Sequence, residues 1–167
     1  MEENNSDILR WHIGVTGHRT IQANKKELKE SISNALNTIK SSIVSTSENK
    51  EIEIILNSGM ALGFDQLVCE VCLENNIPYN AIIPHDNQDA LWNENQKKHY
   101  AFLCSKANKV QNVNPGPYSI KKLHLRNSWI VKNSDEFLVY WDGLFSSGTG
   151  STIKKINQAK KRFVNLY

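Results

Sequence analysis

Strand-like and helix-like segments alternate along this chain from residue 11 to residue 167, and that alternation most tightly constrains its fold. The segment at 11–16 (WHIGVT) is short and β-branched and ends at Gly17, as a strand does. Asn24, with Glu27 three residues on, reads as a helix N-cap. Leu28, Ile32, Ala35, Leu36, Ile39 and Ile43 follow at helical spacing. After a polar loop at 45–50, residues 51–57 (EIEIILN) form a second strand. A second helix then carries Phe64, Leu67, Val68, Val71 and Cys72 on one face and stops before Pro78. The same reading predicts strands at 79–83, 109–113, 136–141 and 163–167, and helices at 90–107, 120–132 and 151–161. Strands that alternate with helices pair in parallel, with the helices covering both faces. The expectation is one α/β domain over 11–167, a doubly wound and mainly parallel sheet, behind a flexible N-terminus at 1–10.

In such a sheet the ligand sits beyond the C-terminal ends of the strands. Three strand ends here carry unusual residues. Thr16-Gly17-His18-Arg19 follows the first strand, and arginine's planar fork suits a phosphate or carboxylate. Ser58 and Gly59 follow the second, with Asp65 near the start of the next helix. Asp65 either caps that helix or accepts hydrogen bonds from a ribose, and both roles stay open. The third is Ser147-Gly148-Thr149-Gly150-Ser151-Thr152, after the most apolar strand. Its glycines and hydroxyls, opening a helix, have the composition of an anion cradle. No GxxxxGK[ST] pattern occurs, so it is not a Walker-type site. Arg126 and Asn127 stand on the fourth helix. Arg126 either reaches the crevice or pairs with Asp135.

Charge and composition exclude several alternatives. Net charge is +3, yet residues 143–167 hold Lys154, Lys155, Lys160, Lys161 and Arg162 and no acid. These five read as a solvated helix face, so nucleic acid is not an expected partner. The longest apolar run, 137–141, is far short of the roughly 20 residues a membrane span needs. The opening MEENNSDILR has no apolar core, and three cysteines make no full disulfide framework, so a reducing cytoplasm is the expected setting. Cys69 and Cys72 form a CxxC inside a helix with no second ligand pair, which points to burial rather than metal or redox chemistry. No metal or cofactor is expected.

The segments IGVTGHR at 13–19, NSGMALGFDQL at 57–67, RNSWIVKNSDEFLVYWDG at 126–143 and SGTGSTI at 147–153 resemble the SLOG superfamily of Rossmann-like domains. Within it they look like the YpsA/YspA-type branch of bacterial and phage proteins. The resemblance implies a nucleotide pocket built from Thr16 to Arg19, Ser58, Gly59, Asp65, Arg126, Asn127, Asp142 and 147–152. It also implies a cytoplasmic protein of a bacterium, or of the bacterial host if phage-encoded. Members of the superfamily include phosphoribohydrolases, sensors of NAD-derived signals and a DNA-processing relative that binds single strands. The phosphoribohydrolase signature ends in GTxxE. Here either register puts Thr152 or Lys154 at the glutamate position, and no acid follows Asp142. The expectation is therefore a binder of a nucleotide-derived molecule such as ADP-ribose, cyclic ADP-ribose or an NAD-related signal, acting without cleavage as a sensor or a phage anti-defence sponge. Homo-oligomers are expected. The alternative is a nucleotide N-glycosidase that releases a base from a nucleoside monophosphate.

Overall fold

A computed structural model describes residues 8–47 and 50–167. The strands are β1 (Ile8–Gly17), β2 (Glu51–Ser58), β3 (Tyr79–Ile83), β4 (Lys109–Asn112), β5 (Glu136–Tyr140) and β6 (Arg162–Asn165). Between them run α1 (Lys25–Thr46), α2 (Phe64–Glu74), α3 (Glu94–Lys106), α4 (Ile120–Lys132) and α5 (Gly148–Gln158). The six strands form one sheet in the order β4-β3-β2-β1-β5-β6, and every pairing is parallel. The expected α/β architecture is therefore the observed one.

Strands covered on both faces read as apolar runs without polar alternation, and β5 shows why. All five residues of EFLVY are buried. Leu138 and Tyr140 join the core beneath α1, α2 and α3, while Phe137 and Val139 join the core beneath α4 and α5. On α1, Leu28, Ile32, Leu36, Ile39 and Ile43 are the buried stripe, and Asn24 Oδ1 caps the helix by accepting from the Lys26 and Glu27 N–H groups. Cys69 and Cys72 are buried free thiols, and burial raises the pKa of both. No helix among the described residues is long and apolar enough to cross a membrane.

Several boundaries differ from expectation. Residues 8–10, expected to be loose, extend β1 and pair with 51–53 of β2; residues 1–7 lie outside the described residues. The third helix starts at Glu94 rather than 90, because Asn93 and Gln96 form a capping box there. The last helix starts at Gly148 rather than 151, because Ser147 Oγ accepts from the Gly150 N–H. That helix ends at Gln158, so Lys160, Lys161 and Arg162 are not on a helix face. Lys161 Nζ instead donates to the carbonyls of Val131 (2.6 Å), Lys132 (3.3 Å) and Ser134 (2.5 Å), closing the C-terminus of α4.

Candidate functional site

From β1 the chain steps one way through β2, β3 and β4, then returns to place β5 on the other side of β1. The order reverses between β1 and β5, and a crevice beyond the carboxyl ends follows from that reversal. A cavity of about 380 Å³ opens there. Its walls come from the end of β1, the β2–α2 loop, one side of α4 and the first turn of α5.

The β1 end is held in place from three sides. The His18 N–H donates to Tyr140 O at 3.1 Å, and His18 O accepts from the Phe64 N–H at 3.2 Å. Tyr140 Oη accepts from the N–H groups of Gln22 and Ala23. Gly63 sits at φ 88°, and a Cβ there would collide with the Arg19 backbone; only glycine lets the start of α2 approach so closely. Arg19 is left exposed at the rim and forms no ion pair among the described residues.

Arg126 is the buried cation of the site, 6% exposed. Its Nη1 donates to Gly59 O and to Ile82 O (3.3 Å), and its Nε donates to Asn127 Oδ1 (2.8 Å). Nη2 takes no part in these bonds. The guanidinium occupies the space a Cβ on residue 59 would need, so Gly59 is required by the arginine. The alternative pairing with Asp135 does not occur: Asp135 Oδ2 accepts from the His12 N–H at 2.8 Å. Asp65 is buried in the same wall. It does not cap α2, whose N-cap is Gly63. Its Oδ2 accepts from the Ala61 N–H at 3.3 Å. Burial pushes its carboxyl up from 3.8 to about 6, against the pull of Arg126, the Ala61 N–H and Arg19.

The α5 end is more selective than its composition suggests. Ser147 Oγ is spent on the Gly150 N–H and Leu144 O. Thr152 Oγ1 is spent on Gly148 O and Asn127 Nδ2. Thr149 takes no part in these bonds and lines the cavity, beside the first N–H groups of α5.

Of the residues singled out from sequence, Thr16, Gly17, His18, Arg19, Gly59, Asp65, Arg126, Asn127, Ser147, Gly148, Thr149 and Thr152 come together around this cavity. Four do not line it. Ser58 Oγ donates to Asp65 O and accepts from the Met60 N–H, so it holds the loop. Gly150 packs where a Cβ would strike the Leu144–Phe145 backbone. Ser151 is in the helix, its N–H bonded to Ser147 O. Asp142 stands behind His18: its Oδ1 accepts from the Leu144 N–H and lies 3.1 Å from His18 Nε2, and these partners lower its pKa. Sequence reasoning missed Val15, Ala61, Ile120, Leu123, His124 and Ile130. The last four recur with Asn127 at spacings of three and four, a helical face that the periodicity of α4 could have exposed.

A family model described as the YspA SLOG family matches residues 13–165. The "Uncharacterized SPbeta prophage-derived protein YoqJ" of Bacillus subtilis is 31% identical over 135 residues, which cover 71% of this chain and 75% of that protein. A UPF0398 protein of Bacillus cereus is 26% identical over 117 residues, 66% of this chain and 61% of that one. Among solved structures, DNA processing protein A from Helicobacter pylori, described for its single-stranded DNA binding mode, superposes with TM-score 0.64 at 16% identity. That match covers 93% of this chain and 64% of the other. The Streptococcus pneumoniae protein of the same name gives TM-score 0.62 at 16% identity, over 93% and 50%. Identity at that level speaks for the fold alone. It still overturns one expectation, that nucleic acid is no partner: the fold is shared with a protein described as binding single strands. The expectation rested on reading five C-terminal cations as one helix face, yet Lys160, Lys161 and Arg162 lie beyond α5.

Proposed function

This chain belongs to the YspA SLOG family, and from that premise we propose that its crevice binds the phosphate and ribose of a nucleotide-derived molecule without cleaving it. The observation that carries the reading is the charge arrangement. Arg19 and Arg126 share one cavity with Thr149 and the first turn of α5, which together favour an oxyanion. Asp65, between the two arginines in charge terms, is an acceptor for ribose hydroxyls. The GTxxE glutamate has no counterpart: Thr152 stands at one register and its hydroxyl is already committed. At the finer level the ligand is ADP-ribose, a cyclic form of it or another NAD-derived molecule, held for sensing or sequestration; support for that comes from the family resemblance.

A second reading is favoured by the shared fold: the crevice takes one nucleotide of a single strand. Steeply salt-dependent binding of oligonucleotides, tighter than of any free nucleotide, is its mark.

The test is a panel of AMP, ADP-ribose, NAD and cyclic ADP-ribose isomers. Each is incubated with the protein, and the filtrate and the heat-released fraction are analysed by chromatography. The expected result is a ligand that leaves solution and returns intact on heating, and that is no longer retained by Arg19→Ala. Free base accumulating with turnover would refute the reading and make Asp65 the catalytic acid to test.

A further inference from the structure

A second cavity, about 600 Å³, adjoins the first. The two share Arg19, Ala61, Leu123 and Arg126 in their walls. Beyond that boundary the lining changes character: Leu91, Trp92, Pro117, Tyr118 and His85 replace hydroxyls and helix N–H groups.

The second cavity is held open by bonds that need no ligand. Asp86 ties two loops together: its carboxylate accepts from Asn112 Nδ2 (2.7 Å) and the Gly116 N–H (2.9 Å), and its own N–H donates to Gly116 O (3.0 Å). Gln88 Nε2 donates to Gly59 O at 2.9 Å, the same carbonyl that Arg126 holds. One carbonyl thus fixes both chambers relative to each other. Tyr118 is 61% exposed, and its ring meets His85 edge-to-face at 5.3 Å. The Tyr118 ring lines the cavity beside Pro117 and offers an aromatic surface against which a planar ring can stack. His85 is 5% exposed, and its Nδ1 lies 2.7 Å from Asp86 O. A carbonyl only accepts, so Nδ1 is the donor of that bond.

We infer that this cavity is a second subsite, taking a planar heteroaromatic ring against Tyr118, and that the ligand has two ring-bearing halves joined through an anionic linker at Arg19 and Arg126. The inference rests on the reading of the first cavity as a phosphate and ribose site. The two volumes bear on it as well. The first alone sits near the bottom of the roughly 300–1,000 Å³ range of small-molecule sites, and the pair together near its top. A dinucleoside diphosphate has the matching chemistry: two bases, two riboses and a pyrophosphate between them.

The experiment compares diadenosine diphosphate with ADP-ribose by calorimetry on the full chain. ADP-ribose keeps the pyrophosphate and the second ribose but lacks the second base. AMP is the reference for the first cavity. The second adenine is expected to tighten binding about tenfold, as a stacked base does. In Tyr118→Ala the two ligands are expected to bind alike, with an unchanged melting curve showing that the chain is folded. Equal affinities in the unsubstituted protein would overturn the second subsite while AMP binding kept the first. An advantage of the second adenine that survives Tyr118→Ala would overturn it too. If none of the three ligands binds, both readings fall together.

Discussion

Replacing Asp65 with asparagine tests the electrostatics of the crevice without any knowledge of its ligand. The carboxyl is 6% exposed, and burial raises it from 3.8 to about 6 despite two arginines in the same wall. Between those pH values the folded protein holds a proton that the unfolded chain has released. Unfolding therefore releases a proton, and stability falls as pH rises through this window. Each tenfold change in proton affinity corresponds to about 1.4 kcal/mol, so the full loss comes to about 3 kcal/mol by neutral pH. Asparagine has the same shape, can still accept from the Ala61 N–H and does not titrate. The charge on Arg126 is constant over this range and changes the height of the variant's curve but not its slope. Urea unfolding of both proteins from pH 4 to pH 8 checks this. The stability of the wild type relative to Asp65→Asn is expected to drop by about 3 kcal/mol, mostly between pH 4 and pH 7. Curves that run parallel in pH would refute the reasoning, because the carboxyl would then titrate alike in both states.

Two further substitutions follow from close contacts. Gly59→Ala places a Cβ in the space of the Arg126 guanidinium; retention of nucleotide on the filter is expected to fall at least tenfold, with a cost of about 1–3 kcal/mol in unfolding free energy from overpacking. Lys161→Met removes the cation that gathers the carbonyls of Val131, Lys132 and Ser134; it is expected to lower the urea midpoint by an amount worth about 1.5–3 kcal/mol, with the denaturant slope unchanged and nucleotide retention intact.

The sheet was legible in the sequence because parallel strands between two helix layers have no polar face. EFLVY announces itself by lacking alternation, EIEIILN by its β-branched run that turns apolar from Ile54 to Leu56, and α1 by an apolar stripe at spacings of three and four. The strand ends were legible for a topological reason: once the order is α/β, ligand chemistry collects where the strands stop. The individual roles were less so. Ser147 and Thr149 look alike in a string of small hydroxyl residues, yet one is consumed by capping α5 and the other is not. The start of α5 was hidden for the same cause, since Gly-Thr-Gly has weak helix propensity and the cap of Ser147 overrides it. Asp142 and His18 are 124 residues apart, and nothing local in either segment says that one holds the other. The second cavity was less legible because Ala90, Leu91 and Trp92, expected to open the third helix, lie instead in the turn and bend that help wall it.

The walls of the crevice are drawn from residues 15 to 152, and β1 must pair with β5 across more than 120 residues of chain before those walls meet. Such a contact closes late, since loop-closure entropy must be overcome before distant pairing is rewarded. A chain folded only from β1 through α3 lacks Tyr140, which holds the β1 end beside Arg19, and lacks Arg126 and the first turn of α5, so the crevice has neither a fixed rim nor a floor. The cavity is complete only once α4 and α5 have packed on the sheet, because both supply its walls. A molecule that binds only the finished fold would stabilise it by mass action.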